Sequence, residues 1–140
     1  AKWADPRIRA ALPMSPSAPR AGDVDKAFEQ VKIPWMLMTG TEDSSRIVNL
    51  TVEERLAVYP GLPPGGKYEL VLHGARHSAF TDRPLPGERG GRNPDHHRFI
   101  LALSTAFWDT YLKEDPAARK WLDGTGPRGL LDEEDRWQHK

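Results

Sequence analysis

The run Ile33-Pro34-Trp35-Met36-Leu37-Met38-Thr39 constrains this chain more than any other segment. Its apolar residues are consecutive, so neither face of the backbone is suited to water. That pattern predicts a buried parallel strand covered by helices on each side. Pro34 sits near its start, where a missing N–H is tolerable. The strand runs out at Gly40, and Thr41, Glu42 and Asp43 follow at once. A second apolar run, Tyr68-Glu69-Leu70-Val71-Leu72, repeats the arrangement, with His73-Gly74-Ala75-Arg76-His77 after it. Two strands thus each deliver a titratable side chain just beyond their carboxyl ends.

The rest of the chain alternates with these strands. Residues 8–14 read as a short, imperfect strand, followed by a Ser- and Pro-rich loop over residues 15–20. Val24, Ala27, Phe28 and Val31 match the spacing of a short helix, with Asp23 as its N-cap. Thr51-Val52-Glu53-Glu54 is a capping box that opens the next helix, which should stop before Pro60. A long Gly/Pro/Arg loop over residues 78–92 precedes a strong helix from Asn93, with Phe99, Ile100, Leu103, Phe107, Tyr111 and Leu112 at helical spacing. Asp115-Pro116 begins one more short helix ending near Gly124. The expected fold is therefore α/β: a parallel sheet with flanking helices and right-handed crossovers. The domain should span residues 1–124, with residues 125–140 a solvated, charged tail containing Asp132-Glu133-Glu134-Asp135-Arg136.

Composition narrows the function by exclusion. A chain of 140 residues is one domain at most, burying about 68% of its unfolded surface. Twenty basic and twenty acidic residues cancel, leaving no global field to recruit nucleic acid or anionic membrane. The Arg-rich stretch over residues 83–98 lacks interleaved aromatic residues and reads as solvated loop charge. No cysteine occurs, which removes disulfides, thiolate metal sites and a cysteine nucleophile together. The longest apolar run, residues 35–38, falls far short of the ~20 residues of a membrane span. The start at Ala1 suggests a processed or truncated product whose upstream segment has been lost, and removal of an expression tag would give the same start. Compartment stays open.

In parallel sheets, ligands and chemistry gather at the carboxyl ends of the strands. Asp43 and His77 both belong there. A histidine base needs a carboxylate partner to hold its tautomer and stabilise the imidazolium that forms. On spacing alone Glu42 rivals Asp43, and His73 rivals His77; a plain polar turn would also account for Glu42-Asp43-Ser44-Ser45. Metal chemistry finds little support. His73 and His77 have the spacing of a zinc-binding helix, but Gly74 and the strand context oppose a helix there. His96 and His97 diverge by ~100° on a helix and cannot easily share one ion. Asn49-Leu50-Thr51 is formally a glycosylation sequon, although Thr51 already has a capping role. No glycine loop opens a helix to cradle phosphate, and no cofactor is expected.

The two strand-end motifs, Gly40-Thr41-Glu42-Asp43 and Gly74-Ala75-Arg76-His77-Ser78-Ala79-Phe80, resemble the C-terminal half of an α/β-hydrolase. They are most similar to the dienelactone hydrolase and acetylhydrolase-like branch, which includes polyester-degrading cutinase relatives. The resemblance covers residues 5–122, including a short closing helix from Asp115 to Leu122. It implies that Asp43 and His77 are the acid and histidine of a catalytic triad acting on a small-molecule carboxylic ester. It implies, too, that the strands are the last three of a larger sheet.

The departure is the nucleophile. No serine here has glycine two residues before and two after it, so the nucleophile elbow and its oxyanion-hole N–H are missing from the chain. The expectation is the C-terminal portion of a serine-type hydrolase, inactive by itself. It would fold stably only with a missing N-terminal half of the domain, or by self-association, because its first strand has an unpaired edge. The alternative is a non-catalytic interaction module on the same scaffold. By position, Met14, Ser45 and Phe80 are candidates to line an acyl or alcohol subsite, with ordinary loop packing as the competing reading.

Overall fold

Met36, Leu37 and Met38 are shut off from water on both sides of the chain. In the computed structural model, which describes residues 5–45, 47–84 and 92–140, they lie on β1 (Trp35–Gly40). Beside it runs β2 (Lys67–Leu72), parallel and in register from Trp35 opposite Lys67 to Gly40 opposite Leu72. Alternation then sorts the side chains. Met36, Met38, Tyr68, Leu70 and Leu72 join one apolar cluster, and Leu37 joins another with Val58, Tyr59 and Leu62.

The expected all-parallel sheet is not what forms. The sheet is small and mixed, with three strands in the order β1-β2-β3. Its third strand, β3 (Arg136–His139), lies antiparallel to β2. It comes from the segment expected to be a solvated tail, which also contributes a short helix over Gly126–Leu130. A two-residue alternation explains the docking. Arg136 and Gln138 reach one face, both bonding the buried Glu69 carboxylate at 2.9 and 2.5 Å. Trp137 and His139 reach the other and stack on the Tyr68 ring at 5.7 Å. The Tyr68 hydroxyl bonds Tyr111 and Asp123, and burial pushes its phenol well above its ordinary value.

The strand expected at residues 8–14 is reduced to two parallel bridges on β1, Ala11 to Trp35 and Met14 to Met38. Pro13 accounts for the break. Ala11 N–H bonds the Pro34 carbonyl, and Met36 and Met38 donate to Ala11 and Pro13, but Pro13 has no N–H to continue the ladder. Ser15 then turns the chain away with φ of 51°.

The helices follow their sequence signals closely. Asp23 caps α1 (Val24–Phe28), and the capping box forms between Thr51 and Glu54 at the start of α2 (Val52–Leu56). That helix stops at Leu56, before Pro60 as expected, and Pro60 falls inside a separate single turn, α3 (Val58–Gly61). The long helix α4 (Asp95–Leu112) buries Phe99, Leu103 and Phe107 in the larger cluster. Asp115 caps α5 (Pro116–Leu122), and the tail helix is α6 (Gly126–Leu130). Of the Gly/Pro/Arg loop expected over residues 78–92, residues 85–91 lie outside the described residues, as do residues 1–4. Among the described residues no helix is long and apolar enough to cross a membrane.

His96 is buried on α4, and its Nε2 finds no hydrogen-bond partner among the described residues. Burial pushes its proton affinity below the ordinary value of 6.5, against the opposing pull of Asp135 and the His73 carbonyl. The unfolded chain therefore takes up this proton first as pH falls through 6.5, and stability drops with it. Melting temperatures between pH 7.5 and 5 should decline in the native chain, and His96→Leu should flatten that decline. An unchanged slope in the variant would remove His96 as its cause.

Candidate active site

Parallel pairing brings the carboxyl ends of β1 and β2 to one edge, and short backbone bonds lace the loops that follow. Thr41 N–H donates to Leu72 O, and Glu42 N–H to Ala75 O, each at 3.0 Å. The Thr41 hydroxyl accepts from Gly74 N–H at 2.8 Å. Gly74 has φ of 66°, a left-handed turn that suits glycine. Gly40 matters for a different reason. A Cβ on it would stand 2.1 Å from the Ala75 carbonyl oxygen, so only glycine lets the two loops approach this closely. Glu42 and Arg76 add an exposed ion pair at 2.9 Å across the same gap.

This lacing brings Asp43 and His77 together. Asp43 is wholly buried, and its Oδ1 lies 3.0 Å from His77 Nδ1. Since the carboxylate can only accept, Nδ1 donates, and in the neutral imidazole Nε2 carries the lone pair. His77 opens a 3-10 helix (His77–Phe80), and its side chain is 45% exposed. No described residue bonds its Nε2. One nitrogen is anchored on a buried acid while the other has no partner among the described residues, an arrangement that suits a general base.

Sequence reasoning missed the other side chains that hold the acid. Arg55 on α2 is buried and places Nε 3.1 Å from Asp43 Oδ1. The same guanidinium donates to the backbone carbonyls of Asp43 and Ser15. Asp43 Oδ2 accepts from the hydroxyls of Ser15 at 2.5 Å and Thr39 at 3.0 Å. The carboxylate is thus held by four side chains. In sequence, Arg55 is one more charge in a Glu-Glu-Arg-Leu helix start. Only the period-two spacing of Thr39 from the buried Leu37 hinted at a polar group turned inward.

The rival residues go elsewhere. Glu42 pairs with Arg76, and His73 is exposed while its backbone N–H bonds the Asp135 carboxylate. The three positional candidates do not converge on the pair by any hydrogen bond. Met14 is 44% exposed beside Ser15. Ser45 closes a small loop through paired backbone bonds with Leu50. Phe80 packs against the larger apolar cluster. Among the described residues no group of three or more His, Asp or Glu side chains could hold a metal ion. Nor does any described serine hydroxyl bond His77, and the Ser15 hydroxyl is already given to Asp43.

If the close approach at Gly40 holds the two loops in place, Gly40→Ala should destabilise the fold by roughly 1–3 kcal/mol through overpacking. Gly129→Ala, with nothing within 4 Å of the added Cβ, should be nearly neutral. Urea denaturation of both variants checks the contrast, and equal midpoints would show that the loops yield without cost. Compared with known proteins, the sequence matches no family model and no curated protein.

Proposed function

We propose that Asp43 and His77 are the acid and histidine of a serine-type hydrolase acting on carboxylic esters, with the nucleophilic serine supplied from outside these 140 residues. The observation that carries this reading is the 3.0 Å bond from His77 Nδ1 to the buried Asp43 carboxylate, with Nε2 bonded by no described residue. The likeness of the two strand-end motifs to the C-terminal half of an α/β-hydrolase supports it and rests on the loops, not on the sheet.

In this mechanism the serine Oγ attacks the ester carbonyl while His77 Nε2 takes its proton. The imidazolium is stabilised through Nδ1–H by the Asp43 charge, and it then returns the proton to the departing alkoxide oxygen. Water enters by the same exchange, giving its proton to Nε2 as it attacks the acyl-enzyme, and the acid leaves as serine is restored. The completing residues would come from a preceding part of the same domain. The outer edge of residues 8–14 is a place for them to pair. There the backbone N–H and C=O of Ala10, Leu12 and Met14 have no partner among the described residues.

The test is fluorophosphonate labelling of the protein as its gene encodes it, read by intact mass. A labelled serine is expected, with ester turnover lowered at least ~10³-fold by His77→Ala. Retention of near-normal turnover in His77→Ala would refute the assignment. A full-length protein that takes no label would favour a non-catalytic interaction module.

A further inference from the structure

Arg55 is a costly residue to bury. At 3% exposure it is among the few charged side chains withdrawn from solvent, and its ion-pair partner, Asp43, is fully buried. Its Nε stands 3.1 Å from Asp43 Oδ1, the same oxygen that faces His77 Nδ1 at 3.0 Å. The guanidinium also bonds the carbonyls of Asp43 and Ser15. Ser15 in turn gives its hydroxyl to Oδ2. One planar fork therefore holds the acid directly and holds the residue that secures the acid's second oxygen.

We propose that Arg55 is a positioning residue for the Asp43–His77 couple, keeping the carboxylate charged and aimed while moderating its pull on the imidazolium. The proposal rests on the reading of these two residues as an acid–histidine pair. A buried carboxylate that lacks a permanent counter-cation draws a proton onto the neighbouring imidazole, which then supplies the opposing charge. Arginine remains protonated throughout, so it supplies that charge without titrating. Because Arg55 and His77 share Oδ1, the imidazolium forms beside a pair that is already neutral overall. The carboxylate's pull on the ring is then shared with a permanent cation instead of falling on the imidazole alone.

Among the described residues, other charged side chains in the loops near His77 have partners apart from Arg55. In the loops, Glu42 and Arg76 pair with each other. On the α4 side, Arg92 bonds the carbonyls of Ser78 and Thr81 and the ring of His97, with Asp82 next in the chain.

The test is side-chain NMR titration of His77 in the full chain, comparing the native protein with Arg55→Met and Arg55→Lys. In Arg55→Met the uncompensated carboxylate should raise the His77 midpoint by about one pH unit or more. Arg55→Lys, which restores the charge, should return it to within a few tenths of the native midpoint. A folded Arg55→Met with a native midpoint overturns the proposal. Should Arg55→Met fail to fold, the native protein decides. An Arg55 Nε–H resonance that shifts with the His77 titration supports the shared oxygen, and one indifferent to it overturns the role. None of these readings requires a nucleophile or a substrate. A protein that takes the fluorophosphonate label but shows no coupling loses only the Arg55 role. One that shows coupling without labelling loses only the esterase reading.

Discussion

The carboxylate of Asp43 is the charge on which the arrangement depends. It is completely removed from water, and its two oxygens are met by side chains from four separate parts of the chain. Ser15 comes from the segment that borders β1, Thr39 from β1 itself, Arg55 from α2 and His77 from the loop after β2. A buried charge left short of one partner costs about 3–5 kcal/mol. Each of those segments is therefore held in place by the same carboxylate. The site and the local fold share one electrostatic anchor.

What lets the histidine reach that anchor is a steric permission. Parallel strands end side by side, so their loops rise from the same edge. Gly40 leaves room for the Ala75 carbonyl where any larger residue would intrude. The loops then close over one another through short backbone bonds, and His77 is set at the mouth with one nitrogen anchored inward. Burial of the acid and exposure of the base follow from that asymmetry.

Much of this was legible from local signals. The strands around Met36–Met38 and Leu70–Leu72 announced themselves by unbroken apolar runs, and the helix starts at Asp23, Thr51 and Asp115 by their caps. Asp43 and His77 could be placed at strand ends because a glycine followed each run. β3 was not legible. Arg136-Trp137-Gln138-His139 looks like charged tail because its value as a strand depends on Glu69 and Tyr68, which stand far away in sequence. The segment at residues 8–14 erred the other way: its apolar pattern suited a strand, but Pro13 could not supply the N–H that the pairing demanded.

The sequence by itself determined that the two apolar runs would be buried, where α1, α2 and α5 begin and that an acid and a histidine stand just past two strand ends. Those properties are set by neighbours along the chain, through periodicity, caps and glycine turns. Only the tertiary structure decided that the third strand is antiparallel, that Asp43 rather than Glu42 meets His77, and that Arg55 is buried against it. Each of those outcomes turns on which groups become neighbours in space. A charged side chain carries no mark of whether its partner will be water or a buried carboxylate from another part of the fold.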